Sequence, residues 1–353
     1  MKLFHCGRCA NLLYFENSCC TSCGASLGFA PDVMDLVAID PKGNDTWEEV
    51  TAGDPYRLCG NYQNQGACNW LVPVSDSHAF CVACRLNRTI PDLSTFRNHD
   101  LWVRLEKEKR RLVYSLLRLK LPCEPRQEDQ YGLNFDFLAD QPAMFDERSK
   151  VKTGHANGVI TMNIAEADPV ERERMRSQMA EPYRTVLGHF RHESGHYYWD
   201  LLVRSGPWLG SVREMFGDDT RDYRQAMDQH YQDGPPGDWQ SWYISAYASS
   251  HAWEDWAETW AHYLHMVDTL ETAWQFGMRV NARQRPVMNS EPDPAFDPYQ
   301  ADDFDALIKH WLPLTLALNS LNRSMGHEDA YPFVLAAPVV EKLRLVHRIA
   351  HGG

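Results

Sequence analysis

The chain lacks any long apolar run and any excess of positive charge. Its 353 residues contain no stretch of about 18 uninterrupted apolar residues, the length that a membrane-spanning helix needs. Lys and Arg number 35 against 48 Asp and Glu, which gives a net charge of −13. Without a positive field, nucleic acids and anionic lipid surfaces are poor candidates for partners. We therefore expect no nucleic-acid partner and no membrane partner.

The beginning of the sequence shows no secretory signal. Residues 1–6 lead directly into a cysteine motif, without the apolar segment and the small-residue cleavage site that such signals carry. We therefore expect a cytoplasmic protein. In a reducing compartment, cysteines are more often metal ligands or buried thiols than disulfides. Nine of the ten cysteines precede residue 85, so a metal-binding region is expected there.

Four early cysteines have the spacing of a zinc ribbon. Cys6 and Cys9 form one CxxC pair, and Cys20 and Cys23 form another. Each CxxC turn places two thiolates on one side of a zinc ion, and a hairpin brings in the second pair to complete a tetrahedral site. A ribbon of this size is too small to fold on a hydrophobic core alone, so metal binding would supply most of its stability. Cys19 is an alternative to Cys20.

A second cysteine group follows the ribbon. It consists of Cys59, Cys68, Cys81 and Cys84, of which only the last two form a CxxC pair. We predict a second structural zinc bound by these four thiolates. A knuckle that shares ligands with another segment and a set of plain buried thiols are the alternatives. Residues 1–95 carry six Lys and Arg against ten Asp and Glu, which favours a protein partner or a purely structural role.

The rest of the chain has the pattern of helices with a small sheet. Apolar residues recur at helical spacing over 100–121. Alternating stretches over 132–137 and 159–164 predict two strands. Apolar helices are predicted over 304–320 and 333–350. The order of these elements predicts an α+β fold that is mostly helical with a small sheet.

One helical segment carries the motif with the clearest chemistry. His192 and His196 lie at positions i and i+4 of a helix predicted from about 182 to 203, with Glu193 between them. The two imidazoles project from one face, so both can reach a single zinc ion. Glu193 can then take a proton from a water molecule on that ion. Two histidines buried in a core are the alternative, and His189 is expected to line the cleft or to support a neighbouring site residue rather than bind metal.

A catalytic zinc usually takes a third protein ligand and leaves its fourth position to water. A second predicted helix supplies candidates, because its tryptophans define a packing face and place Glu254 and Glu258 one turn apart on another side. One carboxylate can bind the metal while the other accepts a hydrogen bond from the N–H of a ligand histidine. His251 and His262 are further candidates for the third ligand.

These residues resemble those of a known group of enzymes. The HExxH motif followed by Tyr247, Glu254 and Glu258 resembles the gluzincin metallopeptidases of the anthrax lethal factor and Pro-Pro endopeptidase type, over residues 192–258. The resemblance implies that Tyr247 donates to the oxyanion of the reaction and that Glu258 supports a ligand histidine. The ribbon together with HESGHYYWD and WEDWAETWAHYLH also resembles bacterial zinc-binding metallopeptidases with an N-terminal zinc ribbon.

The same resemblance implies that His192, His196 and Glu254 bind the zinc and that Glu193 is the general base. The chain departs from the thermolysin branch of these enzymes in one respect. The 57 residues between His196 and Glu254 exceed the spacing of that branch and leave room for an inserted loop. The turn-rich segment 233–238 is suited to such a loop.

We therefore expect a zinc-dependent endopeptidase that acts on proteins or peptides, with one catalytic and one or two structural Zn²⁺ ions. The alternative is a zinc-stabilised protein-binding scaffold whose HExxH site is not catalytic, although a structural site would not need Glu193. The ribbon is a candidate for binding a protein partner. The expected domains are a zinc ribbon (1–30), a second zinc module with four cysteines (55–95), a zincin-like catalytic domain (96–270) and a helical region packed on it (271–353).

Overall fold

The computed structural model describes residues 1–140, 151–179, 185–281 and 296–352. The chain divides into two compact units. The first unit comprises 1–114, 122–154 and 158–179, and the second comprises 115–121, 155–157 and 180–353.

The strands of the described residues all precede residue 164, and most of the helices follow it, apart from α1 and the 23-residue α2. The strands are β1 (Phe4–His5), β2 (Leu12–Leu13), β3 (Ser26–Ala30), β4 (Asp35–Gly43), β5 (Thr46–Glu49), β6 (Pro55–Leu58), β7 (Leu71–Pro73), β8 (Asn87–Thr89), β9 (Asn134–Leu138), β10 (Gly154–Ala156) and β11 (Val159–Asn163). The α-helices are α1 (Gly60–Gln65), α2 (Phe96–Arg118), α3 (Pro169–Met179), α4 (Val186–Tyr198), α5 (Leu209–Phe216), α6 (Tyr223–Asp233), α7 (Ala252–Gln275), α8 (Phe304–Ser324) and α9 (Ala337–Ala350).

A five-stranded antiparallel sheet follows the first cysteine group in the first unit, and its last strand, β7, lies between Cys68 and Cys81 in the sequence. Its strands follow the chain order from β3 to β7. Phe29 on the edge strand β3 also forms a parallel bridge with Trp70, the residue just before the other edge strand, β7. We did not predict this sheet from the sequence. Its signal is the turn between β4 and β5, where Asn44 and Asp45 both have positive φ, as a two-residue hairpin turn requires.

Aromatic side chains form a core in the first unit. The ring centroid of Phe29 lies 4.6 Å from that of Trp70 and 5.0 Å from that of Phe15. Tyr114 is the last residue of α2 that belongs to the first unit. Its ring packs on that of Phe15, with the two centroids 5.4 Å apart. All four rings are buried, and pairs at these distances add to the free energy gained by burial. The cysteine groups therefore belong to a unit with its own hydrophobic core.

The predicted helix and strands of the middle region are present with shifted ends. The helix expected over 100–121 is α2, which begins four residues earlier and ends at Arg118. The strands expected over 132–137 and 159–164 are β9 and β11, which pair in parallel in one sheet. β8 also pairs in parallel with β9. The α+β fold class is confirmed.

The second unit is built around α4 and α7. Thr185 caps the start of α4, its side chain accepting from the N–H of Gly188 at 2.9 Å. The start predicted near 182 lies outside the described residues. α4 continues into a π-helical turn at 199–203, so the predicted helical end is confirmed. A Cβ atom on Gly195 would lie only 2.9 Å from Cα of Ala257, which shows how closely the two helices cross.

Three further helices of the second unit, α5, α8 and α9, pack against α7. The helices predicted over 304–320 and 333–350 are α8 and α9. The buried ammonium of Lys342 on α9 lies 2.6 Å from a carboxylate oxygen of Asp255 on α7, which ties the two helices together by a buried ion pair. Among the described residues, no helix is both long enough and apolar enough to span a membrane.

Candidate metal centre

Two helices bring the predicted metal ligands together. α4 carries His192 and His196, and α7 carries Glu254. The Nε2 atoms of the two histidines are 3.1 Å apart. Oε2 of Glu254 lies 3.0 Å from Nε2 of His192 and 3.4 Å from Nε2 of His196. The three atoms therefore form a compact triangle.

The size of this triangle suits a zinc ion. Ligand atoms about 2.0–2.1 Å from a tetrahedral zinc are roughly 3.3–3.4 Å from one another, close to the three separations seen here. Two imidazoles and one carboxylate are a donor set of catalytic zinc sites, in which the fourth position stays open. Oε2 of Glu254 is buried, and among the described residues it has no hydrogen-bond partner other than the imidazole nitrogens of His192 and His196. A metal ion would compensate for the cost of burying that oxygen.

Glu258 contacts the other nitrogen of His192. Its Oε1 lies 2.7 Å from Nδ1 of His192, and its Oε2 accepts a hydrogen bond from the hydroxyl of Ser245 at 2.6 Å. Burial would raise the pKa of Glu258, but the hydrogen bond with His192 lowers it to about 2. Glu258 is therefore ionised and binds the Nδ1–H tautomer of His192, which leaves Nε2 directed at the metal position.

Glu193 lies beside the metal position with one free oxygen. Its Oε1 is 3.3 Å from Nε2 of His189. Its Oε2 is buried and has no hydrogen-bond partner among the described residues. Burial would raise the pKa of Glu193, but the hydrogen bond with His189 and the charges of His192 and His196 lower it overall. The carboxylate is thus ionised and able to accept a proton.

Tyr247 lies beside His192. Their ring centroids are 5.9 Å apart, and the ring of His230 on α6 packs edge-on against Tyr247 at 6.2 Å. Burial, followed by the charge of Glu254, raises the pKa of Tyr247 well above its ordinary value. Its hydroxyl is therefore protonated and able to donate a hydrogen bond.

The segment between His196 and Glu254 contributes a residue that we did not predict. The segment folds into α5 and α6, followed by the turn-rich stretch predicted over 233–238. Tyr223, at the start of α6, donates a hydrogen bond from its hydroxyl to Oε1 of Glu254 at 2.7 Å. No sequence signal marks this tyrosine, because its position depends on how a long connection folds back on α7.

The other candidates for the third ligand have different partners. Nδ1 of His251 accepts from the N–H of Trp253 at 3.1 Å, so this histidine caps the start of α7. Nδ1 of His262 lies 2.8 Å from the hydroxyl of Tyr331. Of the candidates, only Glu254 joins the two motif histidines in a set whose ligand atoms lie close together.

The first cysteine group converges as a second candidate metal site. The Sγ atoms of Cys6 and Cys23 are 3.7 Å apart, and those of Cys9 and Cys20 are 3.6 Å apart. Thiolates about 2.3 Å from a tetrahedral zinc are roughly 3.8 Å from one another, so the separations suit the ion. Cys19 lies outside the group, with its thiol directed at the carbonyl of Cys20.

The second cysteine group is fully buried and converges separately. The Sγ atoms of Cys68 and Cys81 are 3.8 Å apart, and Cys59 and Cys84 complete the set. The buried guanidinium of Arg110 lies close to this set. Burial would lower the pKa of Arg110, but the negative charges of Cys68, Glu106 and Cys84 raise it overall. A cation at this position compensates for the charge of four thiolates on a divalent ion.

Comparison with known proteins assigns the chain to a family. A family model described as "Putative zinc-binding metallo-peptidase" matches residues 98–349. The chain belongs to this family. The region of the match includes every member of the His192, His196 and Glu254 set. A second family model, described as a zinc-ribbon domain, matches residues 3–95 of this metallopeptidase family member. The matched residues include both cysteine groups.

The relatives of the chain extend over nearly its whole length. A protein of Mycobacterium bovis and two of Mycobacterium tuberculosis, each with the curated name "Uncharacterized protein", are 44% identical to it over 351 residues. The alignment covers 99% of this chain and 95% of each relative. The search of solved structures found no match.

Proposed function

We propose that the protein is a gluzincin-type zinc endopeptidase that hydrolyses peptide bonds in proteins or peptides. One observation carries the proposal. The ligand atoms of His192, His196 and Glu254 converge, and Glu193 lies on the same helical turn as the two histidines, with a buried Oε2 that has no hydrogen-bond partner among the described residues. The membership of the metallopeptidase family supports the same reaction class.

Each residue near the triangle has a defined task in this proposal. A zinc ion bound there supplies Lewis acidity and lowers the pKa of a water molecule. Glu193 accepts the proton of the attacking water and passes it to the leaving amine. Tyr247 donates a hydrogen bond to the carbonyl oxygen as negative charge develops on it. Glu258 holds the imidazole of His192 in the orientation and tautomer that its Nε2 needs.

The two cysteine groups are proposed as structural zinc sites. Cys6, Cys9, Cys20 and Cys23 would hold one ion, and Cys59, Cys68, Cys81 and Cys84 would hold another. Four thiolates close the coordination shell of zinc, so neither site keeps a position for water. The family match to a zinc-ribbon domain over the same residues supports this assignment.

Two observations favour catalysis over a scaffold role. The described metal set of α4 and α7 has three protein members, His192, His196 and Glu254, rather than the four that close a structural site. In addition, Glu193 is a buried carboxylate whose Oε2 has no hydrogen-bond partner in the described part of the chain. A scaffold protein has no need for a buried base, since burying it lowers the free energy of unfolding.

The decisive experiment compares the wild-type protein with Glu193→Gln. Both proteins are incubated with a peptide library and with a proteome, and the new termini are mapped by mass spectrometry. We expect cleavage by the wild type and none above background by the variant, while both bind the chelator-sensitive zinc equally. Glu214→Gln, an exposed position on α5, is the matched control and should cleave as the wild type does.

Metal analysis separates the candidate functions further. The three converging groups predict three zinc ions per chain, of which only the open site should lose its ion readily to a chelator. Cleavage by Glu193→Gln at the wild-type rate would contradict the assigned base. Absence of cleavage by the wild type, with a chelator-resistant third zinc, would favour the scaffold. A protein partner of the ribbon, the exclusion of nucleic acid and a cytoplasmic location stay predictions.

A further inference from the structure

The two oxygens of Glu254 have different surroundings. Oε2 lies in the triangle with His192 and His196, while Oε1 accepts the hydrogen bond from the hydroxyl of Tyr223 at 2.7 Å. Glu254 is itself almost completely buried, with 1% of its surface exposed. The oxygen that does not face the metal position is therefore already engaged by a donor from a different helix.

The hydrogen bond to Oε1 restricts how the carboxylate of Glu254 can bind a metal. A glutamate can bind through one oxygen or through both, and binding through both would require Oε1 to give up the tyrosine hydroxyl. With Tyr223 in place, Glu254 offers Oε2 alone, which leaves room at the ion for water and substrate. Removing the hydroxyl frees Oε1 to approach the ion and to occupy that room.

We propose that Tyr223 is a positioning residue that holds Glu254 as a single-oxygen metal ligand. The inference rests on the ligand set of the proposed function but not on catalysis. It also gives α6 a role, because this helix reaches the metal site through its first residue. Asp222 caps α6 by accepting from the N–H of Gln225 at 2.8 Å, which fixes the position of that residue.

The surroundings of Tyr223 support a polar role over a packing role. Its side chain is 41% exposed, so its ring adds little to the core. The ring contacts His251 and Trp253 edge-on, at centroid distances of 5.4 Å and 5.7 Å. Phenylalanine would preserve these contacts and lose only the hydroxyl. Partners in the outer shell of a metal site set the orientation of its ligands in this way.

The test compares metal binding by Tyr223→Phe with that by the wild type. The open site is stripped with a chelator, and its affinity for Zn²⁺ is measured by chelator competition. We expect the affinity to fall by about 10- to 100-fold, the usual effect of removing such a partner. The visible spectrum of the Co²⁺-loaded site is the second readout. The wild type should show the strong bands of a four-coordinate ion, and the variant the weaker bands of a five-coordinate one.

Two controls separate positioning from a loss of folding. Tyr14→Phe makes the same change at an exposed tyrosine of the ribbon and should alter neither readout. The second control is a double-mutant cycle with Glu254→Ala, in which Tyr223→Phe should have no further effect on the residual affinity because its partner is absent. Thermal unfolding and circular dichroism should show the same fold for wild type and Tyr223→Phe.

Each result has a clear meaning. Unchanged Zn²⁺ affinity and an unchanged Co²⁺ spectrum in Tyr223→Phe would overturn the positioning role and leave the proposed peptidase intact. An equal loss of affinity in the Glu254→Ala background would also overturn it, since the effect would not pass through Glu254. If the Tyr223 results are as expected but the wild type cleaves no peptide, the positioning role stands and the proposed function fails.

Discussion

Glu254 and Glu258 lie one helical turn apart on α7, yet they face different atoms of the same imidazole. Oε2 of Glu254 lies 3.0 Å from Nε2 of His192, and Oε1 of Glu258 lies 2.7 Å from its Nδ1. His192 is therefore held between two carboxylates. Burial would lower its pKa, but these two contacts raise it well above its ordinary value in the metal-free protein.

Glu258→Gln tests the support that this residue gives to His192. The amide keeps the size of the side chain but removes the charge that stabilises the Nδ1–H tautomer. We expect the affinity of the open site for Zn²⁺ to fall by about 10- to 100-fold, measured by chelator competition. Glu341→Gln, at an exposed position on α9, should leave the affinity unchanged. Equal affinities of Glu258→Gln and wild type would show that Glu258 does not orient the ligand.

Sequence reasoning identified the residue types at this site and left the choice among them open. Helix geometry alone places the side chains of His192 and His196 on one face with Glu193 beside them, so this arrangement was predictable. The donors Ser245 and Tyr223 were not, because a lone hydroxyl residue in a connecting segment has no periodicity that marks it. Their roles depend on contacts made across the fold.

At the scale of elements, the candidate metal site depends on the close crossing of α4 and α7. Gly195 lies one residue before His196 and faces Ala257. Trp256 donates from its indole N–H to the carbonyl of Gly195 at 2.9 Å. The missing side chain lets the two backbones approach, and the buried tryptophans of α7 fill the space on either side of the contact.

Gly195→Ala should therefore disturb both stability and metal binding. The added Cβ would lie 2.9 Å from Cα of Ala257, so the helices must separate. Overpacking of this kind typically lowers the free energy of unfolding by about 1–3 kcal/mol. Gly210→Ala, on α5, is the control, because its Cβ would meet no atom within 4 Å. Denaturant unfolding measures both, and an equal effect of the two changes would contradict the proposed close contact.

Helices were easier to predict than strands in this chain. Apolar residues at helical spacing marked α2, α8 and α9, with errors confined to their ends. The sheet from β3 to β7 was missed, because three of its five strands, β5, β6 and β7, have only four, four and three residues. Short strands carry little periodicity of their own, and their pairing depends on neighbours elsewhere in the chain.

At the scale of the whole molecule, buried histidines link folding to pH. Burial lowers the pKa of His262 to about 4, and burial followed by the charge of His351 lowers the pKa of His347 to about 4. An unfolded histidine titrates near 6.5. Between about pH 6.5 and 4, the unfolded chain therefore binds protons that the folded chain excludes. The two neutral, buried histidines therefore contribute fully to the free energy of unfolding above about pH 6.5, and this contribution is lost as the pH falls toward about 4.

The protein should thus become less stable as the pH falls from about 6.5 to 4, by at most about 1.4 kcal/mol per pH unit for each such histidine. Denaturant unfolding at a series of pH values measures the slope. His347→Gln should reduce the slope in this window, while His327→Gln, at an exposed position, should not. A slope in His347→Gln as steep as that of the wild type would show that His347 does not titrate in this way.

The sequence by itself determined the donor atoms and their local spacing: two CxxC pairs, a second set of four cysteines, and two histidines bracketing a glutamate on one helical face. These patterns depend on neighbours within a few residues, so they are readable without a fold. The tertiary structure decided which carboxylate meets the histidines and that Tyr223 holds its second oxygen. Those choices depend on the crossing of α4 with α7 and on the folding of a 57-residue connection, where atoms far apart in sequence come within hydrogen-bond distance.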